Sequence, residues 1–392
     1  MKQTSPRPDA PSHRGPLAHL EDALAALERE GLRRRPRPLD GGDASFCSND
    51  YLGLATRPAP QVHVGAGASR LVSGDHHAHR RLEEALARWL GVEAALVFSS
   101  GYAANVGTVA ALAAPGDLIV SDALNHASLI DGARLSRARI VVTPHNDADA
   151  VARALRDRSE PRAWVLVESY YSMDADGPDL CALREATTET GAALVVDEAH
   201  ALGVLGPRGR GRCAEAGIVP DVLVGTLGKA FGSQGAFVAG SALLRDWLWN
   251  RARSFVFSTG LSPASATAAH DALAIVERDP GIGSRVLALA ARLRAGLSDL
   301  PHGLRPSGFG HIVPLVVGES DRAVRLSALL QEEGFVVPPI RPPTVPRGTA
   351  RLRMTVTAAH DEEAIDRLVA AVRRAVERMD SRPQSSVLSP QQ

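Results

Sequence analysis

From about residue 82 to residue 240 the chain alternates between helical spacing and short, almost continuous apolar runs, and few folds accept that pattern. "LEEALARWLG" (82–91) reads as a helix, "AALVF" (94–98) as a strand, "YAANVGTVAAL" (102–112) as a helix and "DLIVS" (117–121) as a strand. Further strands are expected at "RIVVT", "AWVLVES", "AALVVD", "DVLVGT" and "GAFVAG", mostly with helical stretches between them. A strand that is apolar on both faces needs cover on both faces, and helices between strands supply it, so the pattern predicts a buried, mainly parallel, seven-stranded sheet in an α/β domain. Ligands of such sheets sit beyond the carboxyl ends of the strands.

At 392 residues the chain exceeds one typical domain. After about residue 263 the texture changes to two long helical patterns, then "HIVPLVVG", a helix near 321–333, "FVVPP", "RLRMTVT" and a closing helix over 361–379. The expected organisation is a tail over 1–16, a helical segment over 17–44, a large α/β domain over 45–278, a smaller α+β domain over 279–380 and a second tail over 381–392. In the helical segment Leu17, Leu20, Leu24 and Leu27 share one face, and Gly31 stands at the position of a C-terminal cap. Both tails are rich in proline and serine and are expected to be disordered.

Forty-four basic and forty-four acidic residues leave no net formal charge, which argues against a general binder of nucleic acid or anionic membranes. Cys47, Cys181 and Cys213 are far apart, with no C-x-x-C pair, so a reduced, cytoplasmic setting is expected and no metal site. No apolar run has the length of a membrane span, and the first residues lack the apolar stretch of a signal peptide.

Several short matches fail on context. "DEAH" (197–200) needs a phosphate loop upstream, and none exists. "GAGASR" (65–70) has Arg70 where a dinucleotide fingerprint has its third glycine, and the glycine of "DADGPD" (174–179) comes too early for a calcium loop. "HHAH" (76–79) lacks a second ligand cluster, so these histidines are expected at the surface or on the rim of a site.

One constellation remains. Asp197 ends the strand "AALVVD", His200 follows three residues later, and Lys229 comes just after the strand "DVLVGT". "SSGYAAN" (99–105) opens a helix whose free N–H groups suit a phosphate, and His126 lies beyond the next strand. A lysine for a Schiff base, an acid for a pyridinium nitrogen, a phosphate cradle and a ring to stack are what pyridoxal phosphate requires. Taken singly, each part has an ordinary structural reading: strand-end aspartates cap helices and most lysines are simply solvated.

The chain resembles the α-oxoamine synthases, a family of fold-type-I pyridoxal-phosphate enzymes, over about residues 20–379. The resemblance rests on "SNDYLGL" (48–54), "GASRLVSG" (67–74), "SSGYAAN" (99–105), "NHASL" (125–129), "SMDAD" (172–176), "VVDEAH" (195–200), "GTLGKAFG" (225–232) and "RPPTVPRGTARLRMTVTAAH" (341–360). The last is the most discriminating, and its form is similar to the branch that joins L-alanine to a pimeloyl thioester with loss of CO2. Tyr102 departs from the phenylalanine common at its position, and His76 and His77 have no family role, whereas His79 matches a family histidine.

By this resemblance Lys229 would hold the cofactor covalently and then move the proton of the alanine Cα. Asp197 would bond the pyridine nitrogen and His126 would stack on the ring, while Ser172 and His200 would meet the phenolic oxygen. Gly101, Tyr102 and Thr226 would hold the phosphate, with Ser258 and Thr259 reaching it from a second subunit of a homodimer. Arg353, with Asn49 and His126 nearby, would take the amino-acid carboxylate, and Arg33 and Thr344 would line the acyl site. The thioester carrier, coenzyme A or an acyl carrier protein, stays open. So do three rivals: a relative using glycine or serine with another thioester, an aminotransferase on the same fold, and a non-catalytic partner subunit.

Overall fold

The computed structural model describes residues 19–30, 32–33 and 44–380. The two expected tails and the cap assigned to Gly31 lie outside the described residues. Helix α1 (His19–Arg29) is followed by the short strand β1 (Ala44–Ser45) and by α2 (His77–Leu90). The alternating region then runs β2 (Ala94–Phe98), α3 (Gly101–Leu112), β3 (Leu118–Asp122), α4 (Ala127–Ser136), β4 (Arg139–Thr143), α5 (Ala148–Arg156), β5 (Ala163–Glu168), α6 (Leu180–Thr190) and β6 (Ala193–Asp197). It closes with α7 (Gly211–Glu215), β7 (Val222–Thr226) and β8 (Ala236–Gly240). Helices α8 (Ala242–Arg251), α9 (Arg253–Val256), α10 (Pro263–Arg278) and α11 (Ile282–Gly296) lead to β9 (Ile312–Gly318), α12 (Ser320–Glu332), β10 (Phe335–Val336), β11 (Pro339–Ile340), β12 (Ala350–Thr355) and α13 (Glu362–Asp380).

The seven strands form one sheet in the order β2-β8-β7-β6-β5-β3-β4. All pairs are parallel except those of β8, which runs antiparallel to both β2 and β7. Strands β3, β7 and β8 are buried at every residue, which their continuous apolar runs demand. Only the edge strand β4 exposes part of its length, including Ile140 and Val142. Side-chain oxygens of Ser100, Asp147, Asp179 and Ser241 cap α3, α5, α6 and α8.

The second region is a three-stranded antiparallel sheet, β11-β12-β9, backed by α11, α12 and α13. "FVVPP" splits in two: Phe335–Val336 pairs in parallel with β1, and Pro339–Ile340 joins β12. Proline has no N–H to give a continuous ladder, so Pro338 and Pro339 break the run. Among the described residues no helix is long and apolar enough to cross a membrane.

Helix α2 starts five residues earlier than its apolar spacing predicts and takes in the histidine cluster. His79 is neither at the surface nor on a rim, which corrects the expectation for it. It is fully buried, its Nε2 lies 2.6 Å from the Leu261 carbonyl, and its Nδ1 accepts from the His76 N–H at 3.2 Å. That closes a reciprocal cap at the helix start and ties α2 to the chain before α10, a structural use of a histidine.

Gly225, in β7 just before the site, has no room for a side chain: a Cβ there would lie 2.4 Å from Phe237 Cζ and 2.6 Å from Leu202 Cδ1. Gly225→Ala is expected to destabilise the fold by about 1–3 kcal/mol through overpacking, read as a lower urea midpoint at unchanged slope.

Candidate active site

The carboxyl ends of the parallel strands bring the candidate residues together. Parallel pairing sets Glu168, at the end of β5, directly beside Asp197, at the end of β6. Lys229 follows β7 in a turn held by the Leu227 N–H to the Gly235 carbonyl and the Gly232 N–H to the Lys229 carbonyl. At Gly232 φ is +57°, and a Cβ would fall 2.4 Å from the Ala55 nitrogen, so only glycine lets this turn press against the 54–55 backbone.

These groups line a cavity of about 210 Å³ together with Gly101, Tyr102, Asn105, His126, Ser128, His200 and Thr226. Helix α3 points its N-terminus into it. Ser100 caps the Ala103 N–H, and the first N–H groups of the helix have no intrahelical acceptor. Thr226 stands at the end of β7 with its hydroxyl 3.2 Å from the Gly235 carbonyl and accepting from the Gly228 N–H.

Asp197 accepts from the Asn105 Nδ2 at 2.6 Å and from the Ala199 N–H at 2.8 Å. Asn105 also donates to Ser128 Oγ at 2.9 Å, while its own carbonyl oxygen is buried and finds no partner. His126 caps α4: its Nδ1 lies 2.7 Å from Ser128 Oγ, and its backbone N–H donates to Glu168 Oε1 at 2.7 Å. The ring of Tyr102 meets His126 edge-on at 6.4 Å, and its hydroxyl donates to Asp131.

Lys229 Nζ lies 2.7 Å from His200 Nε2, and His200 Nδ1 lies 2.6 Å from the Tyr51 hydroxyl. Tyr51 donates to Asn49 Oδ1 at 3.1 Å, and the same oxygen accepts from Arg353 at 3.2 Å. Arg353 comes from β12, in the small sheet, and its Nε donates to the Ser172 carbonyl at 2.7 Å. Its neighbour Arg351 donates to the Met173 carbonyl and to Asp174, so two arginines of the small sheet hold the 172–174 loop.

Burial dominates the electrostatics. It lowers the Lys229 amine to about 8 against the upward pull of Asp197 and Glu168, and it raises the Glu168 carboxyl to about 8 with help from the charge of Asp197. Burial also pushes His200 well below its ordinary range, with Lys229 acting the same way; His126, an exposed residue, is lowered by partial desolvation of its ring, against the charge of Asp197.

The other expected site residues lie elsewhere. Arg33 and Thr344, 311 positions apart in the chain, line a separate cavity of about 740 Å³ with Val324, Val337, Pro338 and Arg341. This cavity borders β11, whose partner strand β12 carries Arg353. Ser258 and Thr259 sit in a small cleft with Arg70 and Ser99 and do not line the Lys229 cavity.

Sequence reasoning did not single out Asn105, Glu168 or Tyr51. Each left a signal: Glu168 ends an apolar strand as Asp197 does, Asn105 follows Gly101 by about one helical turn, and Tyr51 is part of "SNDYLGL".

The groups present fit pyridoxal phosphate. The cavity pairs a depressed lysine amine with a carboxylate, a helix N-terminus and an imidazole, and it contains an orphaned buried amide oxygen.

The family description "Aminotransferase class I and II" matches residues 43–372. A protein of Alkalilimnicola ehrlichii named 8-amino-7-oxononanoate synthase is 45% identical over 377 residues, covering 90% of this chain and 96% of that one. Among solved structures, the serine palmitoyltransferase of Sphingomonas wittichii superposes with a TM-score of 0.86 at 28% identity, over 94% of this chain and 100% of that one. An SPT solved with PLP gives the same TM-score and coverage at 26% identity.

With Asp197 and Glu168 both raising the Lys229 pKa, removing either charge lowers it further. In cofactor-free protein the rate at which an aldehyde and borohydride capture Lys229 is expected to rise through pH of about 8. In Asp197→Asn that midpoint moves to lower pH, and a midpoint that stays or rises contradicts the assigned charges.

Proposed function

This chain belongs to the aminotransferase class I and II family and, within it, to the 8-amino-7-oxononanoate synthases, and on that premise we propose that the Lys229 cavity carries out their chemistry. The reaction is the condensation of L-alanine with a pimeloyl thioester to 8-amino-7-oxononanoate, CO2 and the free carrier thiol, a step of biotin biosynthesis. The observation that carries this reading is the convergence of Lys229, Asp197, His126 and the α3 N-terminus on one cavity, with Arg353 reaching it by way of Asn49, Tyr51 and His200.

Pyridoxal phosphate, when bound, supplies an electron sink for the carbanion formed at the alanine Cα. The chain's own residues do the rest. Asp197, oriented by Asn105 and the Ala199 N–H, holds the proton on the cofactor's ring nitrogen. Gly101 and Tyr102, through the helix N-terminus, and Thr226 hold the phosphate. Ser258 and Thr259 complete this site from the partner subunit of a homodimer. His126 packs against the ring, and Ser172 and His200 face the phenolic oxygen.

Lys229 holds the cofactor and, once released, takes the Cα proton; an amine lowered to about 8 is substantially neutral near that pH, as a base must be. Arg353 and Asn49 grip the alanine carboxylate, with His126 beside it. The planar guanidinium presents two donors to a carboxylate and fixes the orientation of the Cα–H bond. Arg33 and Thr344 line the path of the acyl thioester, carried by coenzyme A or an acyl carrier protein. The reaction takes place in the cytoplasm.

The test is to offer alanine, glycine or serine with pimeloyl-, acetyl- or succinyl-CoA to the enzyme loaded with pyridoxal phosphate and to identify products by mass. Product from alanine and pimeloyl-CoA is expected; product from glycine with a short thioester moves the chain to another branch of the family. Lys229→Ala is expected to show no steady-state turnover. Arg353→Lys, which keeps the charge and loses the fork, raises KM for alanine by about tenfold or more.

A further inference from the structure

Lys229 and Arg353, the two residues given the most distinct tasks, are joined by an unbroken series of hydrogen bonds through His200, Tyr51 and Asn49. Elementary donor and acceptor chemistry gives that series a direction. A guanidinium can only donate, so the Asn49 atom facing Arg353 at 3.2 Å is its oxygen. An amide oxygen can only accept, so the single hydroxyl proton of Tyr51, 3.1 Å away, is committed to it. The Tyr51 oxygen must then accept from His200 Nδ1 at 2.6 Å. A neutral imidazole protonated at Nδ1 carries its lone pair on Nε2, which accepts from Lys229 Nζ at 2.7 Å.

We propose that Tyr51 is a positioning residue of the reaction: fixed by Asn49 and Arg353, it holds His200 as the Nδ1–H tautomer and so keeps a bare Nε2 in front of Lys229. The surroundings support this. Tyr51 is fully buried, with its ring edge-on to His311 at 4.1 Å, and burial pushes its phenol up to about 12, so its proton is retained at every working pH. Burial keeps His200 neutral, so that only its tautomer is left to set. Nothing on His200 itself chooses between its two nitrogens. Below a pH of about 8 Lys229 is an ammonium that can only donate to Nε2 and favours the same tautomer; above it the choice originates at an arginine on another sheet, about 150 residues further along the chain.

The consequence for the reaction rests on the roles proposed above for Lys229 and Arg353. Arrival of a carboxylate at Arg353 changes the first link of the series, and Lys229 stands at the last. The tautomer itself does not depend on which thioester is the substrate.

The experiment is nitrogen NMR of the full-length chain labelled with [15N]histidine, recorded above the Lys229 midpoint of about 8 and free of pyridoxal phosphate, so that a neutral Lys229, able to donate or accept, is the group facing Nε2. A His200→Gln variant assigns the signal. In the wild type, His200 is expected to show a pyrrole-type Nδ1 and a pyridine-type Nε2. Asn49→Ala frees the Tyr51 proton to turn toward Nδ1 and shifts the tautomer ratio toward Nε2–H by about tenfold, the worth of one hydrogen bond. Tyr51→Phe gives a mixture, while Asn49→Asp, which keeps an oxygen acceptor between Tyr51 and Arg353, preserves the wild-type pattern.

An Nε2–H tautomer in the wild type, or an Asn49→Ala spectrum identical to it, overturns the proposal. The wild-type spectrum decides alone should a variant fail to fold. Because it is recorded without substrate, its failure is distinct from failure of the product assay.

Discussion

The parallel pairing of β5, β6 and β7 is the constraint on which the rest depends. It sets Glu168 beside Asp197, ends β7 at Thr226 and releases the chain into the turn that carries Lys229. A one-residue slip in any of these pairings turns side chains to the opposite face of the sheet, so the register that packs Val195, Val224 and Val238 into the core also decides which groups face the cavity. Stability and site geometry are determined together here.

Burial at that edge makes the chemistry available. An amine, two carboxyl groups and two imidazoles share a small space, and the charges of Asp197 and Lys229 act on the protonation of the groups around them. The lysine is lowered although two acids stand near it, because loss of hydration outweighs their attraction. One of those acids, Glu168, is raised to about 8 and accepts the backbone N–H of His126, so it anchors the start of α4 while the charge in the cavity stays moderate.

The small sheet is as much a part of the site as the large one. Arg351 and Arg353 alternate with Leu352 and Met354 along β12; the apolar pair packs into the core, and the arginines reach across to the 172–174 loop. Arg353 further reaches Asn49, in the segment that precedes α2. Three stretches of chain far apart in sequence therefore meet at one guanidinium, and its five fixed donors suit that junction better than a lysine's point charge would.

Much of this was legible in the amino-acid sequence. Continuous apolar runs between helical stretches determined a buried parallel sheet, and all seven strands of that sheet lie where those runs predict. Strand-end and turn residues such as Asp197, His200 and Lys229 were visible because local pattern alone places them at carboxyl ends. Register was not visible, since it depends on which strands become neighbours; that is why Glu168 was not singled out and why β8 turns out to run against its neighbours. His79 misled for the same reason: its partner, the Leu261 carbonyl, lies 182 residues away, and only packing makes that histidine a core residue. The sequence by itself determined which chemical groups this protein possesses and the sheet that carries them. The tertiary structure decided which of them touch, because hydrogen bonds such as those joining Arg353, Asn49, Tyr51 and His200 act over about 3 Å between residues that periodicity cannot relate.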